Sequence, residues 1–279
     1  MSLTDFIGQL ENCLHEHAQR ILIEQGFYRP GFWVSIASLA VSKGVPRGNI
    51  IISQENLGYS SAIGLNKAVF DDDDYQYSRR NLGQNYSPLV RLDNPEGVDE
   101  ASSTINACLD AMAQNPAANG MKCLRHVVGE LHDNVMSHGC STGFSMAQRY
   151  RVPGRGYCIE FAIADSGMGF LQEIQRARCA PDAQGHQQAI EWCIQKGHTS
   201  KPPEEDEWAQ ALPDDAWFNP HPGPVIRGGM HANHHQGLGL AHLTELVDNY
   251  SGELVIASGD SYLKVQPGTK TYHRLPSAW

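Results

Sequence analysis

The chain has 279 residues, 41% of them hydrophobic and 19% charged, a globular balance that supplies a core for one large domain or two smaller ones. Its 21 basic against 31 acidic residues give a formal net charge of -10, which argues against a broad grip on nucleic acid or an anionic membrane, since either needs positive charge to displace counterions. No basic stretch leads into an apolar run at the start, no eighteen apolar residues follow one another, and seven cysteines are scattered without CxxC pairs. These features predict a soluble cytoplasmic protein with reduced thiols and no zinc cage or disulfide framework.

In chain order, residues 3–26 predict an amphipathic helix, with Phe6, Leu10, Leu14, Ile21 and Leu22 at roughly helical spacing. GVPRGNIIIS predicts a turn into a short buried strand ending near Ser53, and SSAIGLNKAVF predicts a helix. DDDDYQYSRRNLGQN predicts an exposed loop, YSPLVRLD a strand and DEASSTINACLDAM another helix. The alternation predicts a small α/β unit over residues 1–112, followed through the polar AQNPAANG by a second unit over 113–279. Asp71 to Asp74 carry ligand types for a metal, but four consecutive acids in a loop read first as a solvated surface.

From Met121 a helix is expected through Gly139. Strands GFSMAQRYR and YCIEFAIADSG follow, then helical stretches, a polar loop from Pro202 to about Gln236, a helix and three strands. Loops of that length in compact domains are functional lids or disordered segments.

Three stretches carry chemistry. In ELHDNVMSHG, Glu130, Asn134 and His138 stand at i, i+4 and i+8 on one helix stripe, beside an apolar stripe of Leu124, Val127, Val128 and Leu131. A carboxylate there can orient or deprotonate an attacking group, and an amide oxygen is a hard ligand suited to magnesium. An exposed polar face is the plainer alternative.

IEFAIADSGMGF runs an apolar strand into Asp165, which can accept the exocyclic amine of adenine while Gly167 and Gly169 let the backbone turn beside the base. The same DSG would also form an Asx turn. In HHQGLGLAHLTELV, Gly237, Leu238, Gly239 and Leu240 open an amphipathic helix continued by Leu243, Leu246 and Val247. Glycines there bring phosphate oxygens to free N–H groups at the positive end of the helix dipole, although glycine in a first turn otherwise only weakens a helix. The Rossmann and P-loop glycine patterns are absent.

In this order and spacing the three stretches resemble the GHKL superfamily of histidine kinase-like ATPases, which groups gyrase, a heat-shock chaperone, histidine kinases and mismatch-repair ATPases. ELHDNVMSHG resembles the N-box, ADSGMGF the first glycine box and QGLGLAHLTELV the second. The spacing of Glu130, Asn134, His138 and Gly139 is similar to that of the anti-sigma-factor serine kinases of that group.

The resemblance covers about residues 115–276. It implies an ATP-binding α/β sandwich, a mixed sheet covered on one face by helices, with ATP and Mg2+ as cofactors. It also implies Glu130 as general base or its equivalent, Asn134 as magnesium ligand and Asp165 as adenine anchor. Gly167, Gly169, Gly237 and Gly239 would supply backbone contacts, with His138, Leu238 and Leu240 in the same boxes. HTSK, His198 to Lys201, resembles the segment preceding the ATP lid of histidine kinases, which adds Thr199, Ser200 and Lys201 to the implied cofactor-binding set.

An ATPase or protein kinase acting in signal transduction with a regulatory protein partner is implied; a homodimer stays open. Two departures stand out. No phosphoacceptor H-box with its helical pair is present, so a conventional histidine autokinase is not implied, and the closing GT strand is represented only by Gly268 and Thr269. The element order of residues 1–112 faintly resembles STAS-type partner domains.

Rival readings are weaker. His221, His231, His234 and His235, with Cys179 or Cys193, invite a zinc site, but HANHH lacks a matched ligand pair at fixed spacing elsewhere, and a pH-sensitive loop fits better. Lys201 and Arg227 are the cations of this region that could reach a triphosphate. GxSxG is absent, which sets aside a serine hydrolase. The remaining rival is a binding module that uses nucleotide to change shape and grip a protein with negligible turnover.

Overall fold

The computed structural model describes residues 14–15, 19–73, 75–139, 141–154, 156–180, 182–200 and 239–275. The fold is mixed α/β, and the described residues form three three-stranded sheets. In the first, β1 (Leu14–His15) pairs antiparallel with β2 (Arg20–Ile23), and β2 pairs parallel with β3 (Ile50–Ile52).

The helix expected over 3–26 is therefore overturned where the chain is described. In β2 the buried Ile21 and Ile23 alternate with more open neighbours, so a period of two decides the segment. β3 occurs where a strand was expected, but as an edge strand its Ile51 is 38% exposed.

Helix α1 (Pro30–Ser42) has no counterpart among the expected elements. Its sequence PGFWVSIASLAVS is apolar nearly all round, so it carries no amphipathic period; Pro30 in its first turn suits a helix start. The stretch SSAIGLNKAVF is broken into α2 (Gln54–Ala62) and α3 (Leu65–Phe70) by Gly64, whose φ of 78° lies in the left-handed region.

The second sheet is an antiparallel run of β4 (Val90–Leu92), β5 (Gly143–Val152) and β6 (Gly156–Asp165). The ladder from β4 to β5 crosses the expected boundary at 112/113. So does the largest core cluster, which joins Ile21, Phe32, Trp33 and Ile36 to Phe144 and Met146 of β5. The two expected units thus share a core.

Helix α4 (Pro95–Met112) begins with Asn94 Oδ1 accepting the Gly97 N–H at 2.8 Å. Helix α5 (Asn119–Asn134) runs into a π turn at Val135–Gly139. Ile105, Leu109 and Met112 of α4 meet Val128 of α5 and Ala147 of β5.

Three helices follow: α6 (Gly169–Ala177), α7 (His186–Cys193) and α8 (Gly239–Tyr250). The last sheet is β7 (Leu254–Ser258), β8 (Ser261–Gln266) and β9 (Thr269–Arg274), all antiparallel, which matches the three strands expected after the final helix. Ile190 and Ile194 pack with Val247 of α8 against Ile256, Leu263 and Val265.

Instead of one mixed sheet, the described part of 113–279 contributes to two antiparallel sheets, and β6 and β7 are not paired to each other. Among the described residues, no helix is long and apolar enough to cross a membrane, and no group of three acidic, histidine or cysteine side chains could hold a metal ion.

Candidate functional site

A cleft of about 1840 Å³ opens between β6 and β7, with residues of α5, α6 and α8 also lining it. Its walls include Glu130, Asn134, Asp165, Gly169, Thr199, Ser200, Gly239 and Leu240, so the three sequence stretches and the HTS segment meet in one place. Lys201, Gly237 and Leu238 lie outside the described residues, as do the side chain of His138, the histidines from His221 to His235 and Arg227. The π turn after Asn134 also interrupts the i, i+4, i+8 spacing on which His138 was placed with Glu130.

The meeting of α5 with the strand end follows from Gly143. A Cβ there would lie 2.7 Å from Val135 Cγ1 and 3.3 Å from the Ala164 carbonyl, so only glycine lets the end of α5 lie directly on β5. Gly143 is the Cα partner of Asp165. Asn134, preceding Val135, is thereby brought to the end of β6.

Asp165 Oδ1 accepts the Gly167 N–H at 2.7 Å, an Asx turn. Gly167 is thus bound to the carboxylate, and Gly169 adopts a φ of 72° at the first position of α6. Asp165 is exposed as a residue, yet desolvation of its carboxyl in the cleft wall pushes it above its ordinary value; the Gly167 N–H and the nearby Ser141 hydroxyl, which falls short of a formed hydrogen bond, pull it back. The Phe170 N–H at the start of α6 donates to Ser258 Oγ of β7 at 3.0 Å, tying this turn to the last sheet.

Glu130 is 13% exposed, with Oε1 3.7 Å from His126 Nε2 and Oε2 without a hydrogen-bond partner among the described residues. A Cβ on Gly239 would lie 2.8 Å from that same Oε2. The glycine therefore admits a carboxylate beside the start of α8, where the helix dipole favours negative charge. Of the expected apolar stripe, Val127 and Val128 are buried and Leu124 packs on the core beside Val128, with His132 and Val135 also buried, while Leu124 and Leu131 reach the cleft wall.

His132, unforeseen in the sequence, is fully buried between Ser102 Oγ at 2.8 Å on Nδ1 and Ser145 Oγ at 2.7 Å on Nε2, and burial pushes its pKa down to about 4. It joins α4 to β5 and faces the core.

Glu173 of α6 was also missed, although its i,i+3 spacing to Arg176 is visible in FLQEIQRA. It lines the cleft, holds Arg176 by Nε at 3.0 Å and a terminal nitrogen at 3.1 Å, and accepts the Ser200 hydroxyl at 2.9 Å. Cys193 lines the cleft too, but burial pushes its thiol up to about 12, which leaves it unreactive as a thiolate.

Among the described residues, the acids lining the cleft are Glu130, Glu160, Asp165, Glu173 and Glu253. Its only cations among the described residues are Arg29 and Arg149, toward the Gly156 end of β6, each stacked 5.2 Å from a tyrosine ring. A polyphosphate beside Glu130 and Asp165 therefore needs a metal ion or a cation from elsewhere to offset repulsion. No protein-family model, curated protein or solved structure matches the chain.

Proposed function

We propose that the chain is a Mg-ATP-binding protein of the histidine kinase-like ATPase superfamily that hydrolyses ATP or transfers its γ-phosphate in a regulatory role in the cytoplasm. The observation that supports this reading is the convergence of Glu130, Asn134, Asp165 and Gly239 on one cleft from three separate stretches of chain. A carboxylate for the attacking group, an amide for magnesium and a carboxylate for the adenine amine are the groups that the chemistry needs. The acidic lining at that end favours nucleotide that arrives with magnesium over free nucleotide.

In this reading residues 113–279 carry the ATP-binding motifs, and residues 1–112 supply a STAS-like regulatory part that shares their core. Titration of the pure protein with ATP and GTP, each with and without Mg2+, tests binding; γ-labelled ATP tests the fate of the phosphate. ATP should bind with magnesium and more tightly than GTP. Equal affinity for the two nucleotides removes the role of Asp165.

The second reading, a nucleotide-gated protein-binding module, draws support from the size of the cleft, which exceeds the roughly 300–1,000 Å³ of small-molecule sites. Binding without phosphate release would favour it.

A further inference from the structure

We infer that Glu173 is a positioning residue that fixes Thr199 and Ser200 at the edge of the proposed nucleotide site. The inference rests on that reading of the cleft. Glu173 stands one turn after the Asp165–Gly169 turn, on the helix whose Phe170 N–H is tied to Ser258. Its side chain is only 9% exposed, so its carboxylate needs partners, and it takes them from two directions. Arg176 on the same helix grips both oxygens, and Ser200, from the segment after α7, donates its hydroxyl to Oε1.

The Arg176 guanidinium fixes the orientation of the Glu173 carboxylate, and a carboxylate acceptor makes the Ser200 bond stronger than one between neutral groups. One helix thus holds both the turn bearing Asp165 and the segment bearing Thr199 and Ser200. Next to Ser200, the His198 ring packs on Trp192 at a centroid distance of 4.6 Å and its Nδ1 lies 3.0 Å from the Trp192 carbonyl, so the segment is anchored at both ends of a three-residue stretch.

The test compares Glu173→Ala, Glu173→Gln, Ser200→Ala and the Glu173→Ala/Ser200→Ala double variant. Amide exchange over residues 194–200 reads the anchoring without any nucleotide, and titration with Mg-ATP reads the site. Glu173→Ala should speed exchange there, while Glu173→Gln, which keeps an acceptor for Ser200, should restore most of the protection. Glu173→Ala and Ser200→Ala should each weaken Mg-ATP binding about 2–10-fold, as expected for one hydrogen bond, and the double variant should be no worse than either.

Unchanged exchange in Glu173→Ala overturns the inference, and so does multiplication of the two single effects on binding. If the parent protein binds no Mg-ATP, the nucleotide reading falls and the role at a nucleotide site falls with it. The exchange measurement then still decides whether Glu173 fixes the segment.

Discussion

Gly239 lies so close to Glu130 that a methyl group on its α carbon would sit 2.8 Å from Glu130 Oε2. The atom encountered is the far end of a flexible side chain, so Gly239→Ala should displace the carboxylate without a large cost in stability. The expected result is an unfolding free energy within about 0.5 kcal/mol of the parent and a fall in phosphate release.

Gly143→Ala makes the opposite case. There the new methyl meets buried Val135 and a backbone carbonyl, neither of which can swing away. A loss of about 1–3 kcal/mol is expected in urea unfolding, together with weaker magnesium-dependent binding as Asn134 moves off the end of β6. A variant as stable as the parent would show that the end of α5 does not need this approach.

Asp165→Asn keeps an oxygen for the Gly167 N–H and loses the charge, so the Asx turn should survive while ATP affinity falls by about 1.5–3 kcal/mol. A carboxyl raised by desolvation contributes stability that is fully present below its unfolded value and lost as pH rises through the folded one. Near neutral pH Asp165→Asn should therefore be at least as stable as the parent, with the advantage vanishing in acid. A variant that unfolds more easily at pH 7 contradicts the assignment.

Glu130 and Asn134 should separate by role. Asn134→Ala should weaken nucleotide binding only when magnesium is present. Glu130→Ala should leave ATP affinity nearly intact and lower turnover by ~10²–10⁴-fold, the usual loss of a general base. If both variants lose affinity equally and the parent releases no phosphate, the nucleotide-gated module becomes the better account.

His132 predicts a loss of stability in acid. Its pKa of about 4 in the fold lies below the ordinary 6.5, so as pH drops below 6.5 the unfolded chain takes up a proton that the native imidazole refuses. Its contribution is complete above pH 6.5 and falls until pH passes 4, by about 3 kcal/mol in all. Urea titrations across this window should be markedly flatter for His132→Gln than for the parent.

What could be read in advance was chemistry written at the ends of elements. Asp165 follows an unbroken apolar run and precedes glycines, and Glu130 and Asn134 share a helix face, so local pattern was enough to nominate them. Helix α1 was illegible for the opposite reason: a helix buried nearly all round, Pro30 to Ser42, has no polar face to mark its period. Residues 20–23 were misassigned because adjacent isoleucine and leucine fit a helical stripe until pairing with β3 selects the strand.

By itself the sequence determined the mixed α/β class, the last three strands and the residue types of the candidate site, because each depends on local periodicity or on side-chain chemistry. Only tertiary structure decided which of them meet. Gly143 sets the approach of α5 to β5, Gly239 admits the Glu130 carboxylate, and Ser200 finds Glu173 across an intervening helix. The ladder from β4 to β5 likewise joins two stretches whose separation looked like a domain boundary. These are contacts between residues far apart in the chain, and close packing, which no local pattern records, selects them.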